Sequence, residues 1–112
     1  MIDEPQLMGP PWQVETLNGK PVGNATLTLN FHEPGKLAGK AACNNYMASY
    51  SLTEDGLSVQ TGGVTMMACP EPLMTLEHQF LDGLEKVKSA TLDHQGALLL
   101  SGENGVILRA TR

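Results

Sequence analysis

Two cysteines are the residues of this chain best suited to chemistry. Cys43 lies in the block Gly39-Lys-Ala-Ala-Cys-Asn-Asn-Tyr46, and Cys69 lies in the block Thr65-Met-Met-Ala-Cys-Pro70. Cysteines form disulfides, bind soft metals or act singly as nucleophiles. The two do not form a C-x-x-C pair and the chain has no third cysteine, which disfavours a zinc or thioredoxin-type site.

Three interpretations of these cysteines remain open on the sequence alone. A disulfide, which we favour, would restrict the unfolded chain and add about 3.5 kcal/mol in the chain-entropy model. Two buried free thiols are the main alternative, because cysteine packs as a small apolar side chain. A reactive thiol, with Cys69 near His78 or His94, is the least favoured, since a nucleophilic cysteine needs electropositive surroundings and this stretch is acidic.

The other residues that carry chemistry are scattered along the chain. His32, His78 and His94 have no spacing typical of metal ligands and are interpreted as surface or strand-end histidines. The sequence contains no G-x-S-x-G elbow, phosphate-binding loop or dinucleotide fingerprint. We therefore predict no catalytic residues, no metal and no cofactor, and a protein that is not an enzyme.

Length and charge narrow the class of protein further. The 112 residues suffice for one domain, and the net charge is −5. From Ala41 to Leu84 the only charged residues are acidic, namely Glu54, Asp55, Glu71, Glu77 and Asp82. This stretch argues against binding to nucleic acid or anionic lipid, and we interpret the acids as a solvated surface. No apolar run approaches the ~20 residues of a membrane helix, so no direct membrane insertion is predicted.

The elements that position these residues are mostly strands. Apolar and polar residues alternate with a period of two, as in Leu27, Leu29 and Phe31. Tight turns such as Asn18-Gly19 separate the runs, which predicts an antiparallel meander. Residues 1–11, rich in proline and glycine, are interpreted as a linker to a single domain over residues 12–112.

One segment has a helical period instead. Five apolar residues recur at steps of three and four: Leu73, Leu76, Phe80, Leu84 and Val87. Pro70 and Pro72 suit the start of a helix, where a missing N–H costs little. The pattern predicts one helix over about 71–88, with its apolar stripe packed on the sheet.

Asparagines and methionines allow both a structural and a functional interpretation. Asn44 and Asn45 interrupt the alternation after Cys43 and could offer donors and acceptors to a ligand. We favour a structural role, in which an asparagine holds a bend by bonding nearby backbone. Met47, Met66, Met67 and Met74 could form an adaptable apolar surface, but our default is that they fill a core short of aromatic residues.

The ordered set of motifs resembles a known family. The set comprises Trp12 with Leu17-Asn-Gly-Lys-Pro21, the run Leu27-Thr-Leu-Asn-Phe31, the two cysteine blocks and a helix before the closing strands. It resembles the META domain family, also called HslJ-like, from Trp12 to about Arg109. The resemblance implies a mainly β (α+β) fold, a curled antiparallel sheet or half-open barrel of about 7–8 strands with one helix packed on it.

The resemblance also implies structural roles for motif residues. Trp12 would anchor the core, Cys43 and Cys69 would pin the middle of the domain, and Asn44 would hold a bend. The remaining structural motif positions are Tyr46, Tyr50, Thr65 and Met67.

Three positions depart from the family pattern. Ala42 and Ala48 stand where the family usually has glycine, and a methyl group there matters if close approach or positive φ is needed. Met66 stands where the family usually has a basic residue. A partner that binds that basic residue in relatives would lose the contact in this chain.

The resemblance finally implies a setting and a function. Such domains are typical of bacterial envelope proteins, often lipoproteins, loosely associated with stress, drug tolerance or secretion. We expect a periplasmic or outer-membrane-associated monomer whose leader is absent from this chain. The predicted function is a non-enzymatic module that binds an envelope protein or stabilises an envelope assembly. The alternatives are a carrier of a small apolar ligand, a protease-inhibitor-like domain presenting the loop between Thr61 and Pro70 and, last, a thiol enzyme.

Overall fold

The alternating runs of the sequence form strands. The computed structural model describes residues 2–112, and these contain nine strands that pair only in antiparallel fashion. They are β1 (Trp12–Leu17), β2 (Lys20–Pro21), β3 (Thr28–Glu33), β4 (Lys36–Ala41), β5 (Asn44–Thr53), β6 (Gly56–Val64), β7 (Ser89–Leu92), β8 (Leu98–Gly102) and β9 (Gly105–Thr111). The mainly β meander predicted from the sequence is confirmed.

The sheet curls into a half-open barrel. Its strand order is β6-β5-β4-β3-β1-β9-β8-β7, with the short β2 paired to β1 alone. The two outer strands approach each other at one point, where the backbone N–H of Leu57 donates to the Lys88 carbonyl at 2.9 Å. Gly56 permits this approach, because a Cβ built on it would collide with that carbonyl. The predicted curl is therefore present, and the eight strands of the main path nearly close it.

The predicted helix packs against this sheet and ends earlier than expected. It is α2 (Glu71–Glu85), and its Phe80 and Leu84 are fully buried. We predicted a helix to about residue 88, but the chain leaves the helix at Lys86. Lys88, just before β7, is already bonded to the sheet, since its backbone N–H donates to the Ser101 carbonyl at 2.7 Å. No helix among the described residues is long and apolar enough to cross a membrane.

The segment before β1, which we interpreted as a linker, is packed against the domain. It contains a short helix, α1 (Glu4–Leu7), and both Ile2 and Leu7 are buried in the core. The Tyr50 hydroxyl donates to the Glu4 carboxylate at 3.0 Å and ties the segment to β5. The apolar side chains of Ile2 and Leu7 are sufficient to pack this segment against the core. The packed unit therefore begins before Trp12.

The core lies between the concave face of the sheet and α2. Its aromatic rings meet edge to face, with ring centroids 5.1 Å apart for Phe31 and Tyr50 and 5.5 Å apart for Tyr46 and Phe80. Leucine, valine and alanine supply most of the rest. The default placement of methionines in this core is wrong for three of the four residues, because Met47, Met66 and Met67 are exposed and only Met74 is half-buried.

Candidate functional site

The two cysteines are joined in a disulfide, which is the interpretation favoured from the sequence. Cys43 lies in the turn after β4, and Cys69 lies two residues before α2, with their Cα atoms 6.0 Å apart. The bridge links positions separated by 26 residues. The bridge therefore pins the start of α2 to the sheet. Because neither sulfur of a disulfide is a thiolate, the pair is not available as a nucleophile.

Asn44, the first residue of β5, uses every polar atom of its buried side chain. Its Oδ1 accepts from the Thr65 hydroxyl at 2.9 Å and from the Met67 backbone N–H at 2.6 Å. Its Nδ2 donates to the Met67 carbonyl at 3.4 Å and to Glu77 Oε2 at 2.9 Å. A carboxamide has two donors and two acceptor lone pairs, so none remains for a ligand. Asn44 holds distant segments together rather than a local bend.

Glu77 is the partner of Asn44 that sequence reasoning missed. We interpreted this acid as part of a solvated surface, but its side chain is only 4% exposed. Its Oε1 accepts from the Asn44 backbone N–H at 2.6 Å, and no ion pair within residues 2–112 includes it. A signal was present in the sequence, because Glu77 lies four residues after Leu73 and three before Phe80, on the apolar stripe of the helix.

Asn44, the disulfide and β5 together hold the chain that connects β6 to α2. Thr65 continues the strand pairing, since its backbone N–H donates to the Asn45 carbonyl and its hydroxyl accepts from the Asn45 N–H, each at 3.0 Å. Residues 65–70 contain no turn or bend, and none has a positive φ. We call Thr65–Cys69 the tethered segment, because it is attached at Thr65, at Met67 and through the disulfide at Cys69.

The tethered segment displays apolar side chains. The side chain of Met66 is 94% exposed and that of Met67 is 51% exposed. Within the described part of the chain, the backbone N–H and C=O of Met66 make no hydrogen bond. Met47, 63% exposed, projects from the outer face of β5, whose neighbouring residues Tyr46 and Ala48 face the core. The two adjacent methionines of the tethered segment are typical of a binding surface rather than of a core, whereas Met47 is a single exposed apolar residue outside the segment.

One of the two alanines that replace family glycines occupies a strained conformation. Ala42 has φ of +70°, and its backbone N–H donates to the Thr26 carbonyl at 2.9 Å. This turn sets the direction from which Cys43 and Asn44 approach the tethered segment. Ala48 lies inside β5 without a positive φ, so of the two alanines only Ala42 has the backbone conformation that favours glycine.

Two aromatic motif residues have structural environments. Trp12 is buried, donates from Nε1 to the Leu7 carbonyl at 3.0 Å and lies 3.9 Å beneath the Arg112 guanidinium. The Tyr46 hydroxyl donates to the Thr28 carbonyl at 2.7 Å. Burial raises the pKa of Tyr46 well above the usual range of a phenol, so this hydroxyl is a fixed donor rather than a proton shuttle.

None of the three histidines belongs to a metal-binding group within the described residues. His32, His78 and His94 are each exposed, and residues 2–112 contain no group of three or more His, Cys, Asp or Glu side chains placed to hold a metal ion. A cleft of about 750 Å³ that is open to solvent lies between the carboxyl end of α2 and the β8–β9 turn. Its lining includes the ion pair of Lys88 with Glu103, at 2.6 Å.

Comparison with known proteins agrees with this architecture. The sequence profile of the META domain matches residues 5–112. The NMR structure of a protein from Burkholderia xenovorans is similar to this chain, with a TM-score of 0.72 and 26% identity, over 95% of this chain and 83% of that one. A second NMR structure has a TM-score of 0.73 at 24% identity, over 99% and 95% of the respective chains, and shares the fold. No curated protein matches the sequence significantly. The chain belongs to the META domain family.

Proposed function

We propose that this protein is a non-enzymatic module of the bacterial envelope that binds a protein partner through the tethered segment. The observation that carries the proposal is the combination of exposure and restraint in that segment. Met66 and Met67 present apolar side chains to solvent, whereas Asn44 and the disulfide fix the backbone that carries them. A segment that is already fixed loses little conformational entropy when a partner binds.

The filled interior of the barrel supports a protein partner over a small apolar ligand. Leu29, Phe80 and Leu98 are fully buried between the sheet and the helix, where such a ligand would have to lie. The open cleft is lined in part by a charged pair, which does not suit an apolar molecule. Protruding methionines suit a protein surface, because the flexible thioether adapts to an apolar pocket.

The disulfide supports a periplasmic or outer-membrane-associated location. Disulfides persist in oxidising compartments and are rare in the cytosol. The family resemblance implies the same setting, and the suggested association with stress or drug tolerance rests on it alone. We propose a monomer that takes part in an envelope assembly through this one surface.

Affinity capture with matched variants tests the proposal. The oxidised domain is immobilised and exposed to a bacterial envelope extract at low and high salt. We expect a saturable protein that stays bound at high salt, because contacts between apolar groups are not screened. Met66→Asp should reduce its recovery at least about tenfold, since a buried unpaired charge costs several kcal/mol. Met47→Asp, at an exposed methionine outside the segment, should not reduce it.

Two results would contradict this function. The first is the absence of any protein that binds the wild-type domain saturably. The second is a bound protein that wild type and Met66→Asp recover equally. This result would show that the binding surface lies outside the tethered segment.

A further inference from the structure

The backbone of the tethered segment has no turn, bend or positive φ that would keep it out of a protease cleft. It leaves β6 without a turn, contains no positive φ and stays free of bends up to the start of α2. Serine proteases take such a chain into their cleft, insert one side chain into a specificity pocket called S1, and bind the adjacent main chain with hydrogen bonds.

Met66 is the residue of the segment best placed for that role. Its side chain is almost fully exposed, and its backbone N–H and C=O are unpaired within the described residues. A protease needs both groups, the carbonyl above all, because its oxyanion hole binds the oxygen of the residue in S1. The backbone of Met67 does not meet this need, since Asn44 binds both its N–H and its C=O.

We propose that the tethered segment is an inhibitory loop for serine proteases with an apolar S1 pocket, and that Met66 is the side chain that enters the pocket. The inference rests on the proposed function and names its partner class. Methionine is apolar, and between Ala41 and Leu84 the chain has no lysine or arginine. The loop therefore suits chymotrypsin-, subtilisin- or elastase-like enzymes and not a trypsin-like enzyme, whose S1 pocket carries an aspartate.

The attachments on both sides of Met66 explain why the loop would inhibit rather than be digested. Thr65 is bound to Asn45 on one side, and Met67 is bound to Asn44 on the other. The disulfide then holds Cys69 two residues further on. A loop fixed in its bound form binds without an ordering cost, and it cannot relax away from the protease after an attack.

The chemistry of that attack balances within the complex. The protease serine oxygen forms a bond to the Met66 carbonyl carbon, the bond from that carbon to the Met67 nitrogen breaks, and the serine proton passes through the protease histidine to that nitrogen. In the intact chain the backbone N–H of Met67 donates to Asn44 Oδ1 at 2.6 Å. The released amine keeps this hydrogen bond. It is therefore positioned to attack the ester and restore the peptide bond before water does.

Inhibition assays with purified proteases and a change of specificity test this proposal. The oxidised domain is titrated against chymotrypsin, subtilisin, elastase and trypsin. We expect inhibition of at least one of the first three at micromolar concentration or below, and none of trypsin. Met66→Arg should weaken inhibition of the enzymes with an apolar S1 pocket at least about 100-fold and create inhibition of trypsin, because arginine pairs with the S1 aspartate.

Two further variants act as controls. Met47→Arg adds the same charge at another exposed methionine and should leave the inhibition profile unchanged. Met66→Tyr adds no charge and places an aromatic ring at the contact position, so it should retain inhibition of chymotrypsin. Mass spectrometry of the complex should find either an intact chain or one cleaved only after Met66, with its two parts joined by the disulfide.

Three outcomes would overturn the proposal. These are no inhibition of any enzyme with an apolar S1 pocket, inhibition that is insensitive to Met66→Arg, and digestion of the domain at a substrate-like rate. A partner captured from envelope extract through Met66 while no protease is inhibited would overturn the protease inference and leave the proposed binding function standing.

Discussion

At the scale of single residues, Ala42 determines how the site is built and is held in an unfavourable conformation. Its φ of +70° lies in the left-handed region, which costs a non-glycine residue about 1–2 kcal/mol. The cost is tolerated because the residue begins the turn that brings Cys43 and Asn44 to the tethered segment. Its N–H bond to the Thr26 carbonyl fixes the turn in place.

Ala42→Gly should therefore stabilise the protein by about 1 kcal/mol, because glycine adopts this φ without steric strain. The measurement is the free energy of unfolding in a chemical denaturant with the disulfide intact. Ala48→Gly is the matched control, since it removes the same methyl group from a buried strand position with ordinary φ. It should destabilise the protein by about 1 kcal/mol. A loss of stability in both variants would mean that the methyl group of Ala42 contributes more through packing than it costs through strain.

At the scale of elements, one carboxylate links α2 to β5 and, through Asn44, to the tethered segment. Both oxygens of Glu77 accept hydrogen bonds from Asn44, one from its backbone and one from its side chain. Asn44 cannot reverse its amide to suit another partner, because its Oδ1 already accepts from Thr65 and Met67. The position therefore requires a side chain with two acceptors.

Glu77→Gln should consequently destabilise the protein by about 1–3 kcal/mol, since the amide would direct a donor at one of the two Asn44 donors. Glu71→Gln removes the same charge from an exposed position at the start of the same helix and should change stability by less than about 0.5 kcal/mol. Thermal and denaturant unfolding of the two variants provide the comparison. Equal stability of both variants would show that the Glu77 contacts contribute no net stability.

The link between Glu77 and Asn44 marks the limit of what the sequence predicts. Periodicity predicted the strands and the helix because each residue's burial follows from its own element. It did not predict that Glu77 meets Asn44, since this contact joins residues 33 positions apart through the packing of a helix on a strand. The exposure of Met66 likewise depends on tertiary packing, because it requires that no other part of the chain covers this side chain. The packing of residues 2–11 against the core was not predicted, because it depends on the burial of only two side chains, Ile2 and Leu7.

At the scale of the whole molecule, the fold raises the pKa of both of the chain's tyrosines. Burial raises the pKa of Tyr46 and is also the main cause that raises the pKa of Tyr50, with a further contribution from its hydrogen bond to Glu4. The unfolded chain releases these protons near pH 10. Because the folded pKa values are higher, the stabilisation they provide is complete below pH 10 and is lost as the pH rises towards the folded values.

The free energy of unfolding should therefore fall steeply above about pH 10, and phenolate absorbance should rise together with unfolding rather than before it. Tyr46→Phe provides the decisive comparison. At neutral pH it should cost about 1 kcal/mol, because the Thr28 carbonyl loses its donor. At alkaline pH its stability should decline less steeply than that of the wild type, since one shifted group is gone. An identical alkaline decline in both proteins would mean that groups other than Tyr46 set the alkaline limit of the fold.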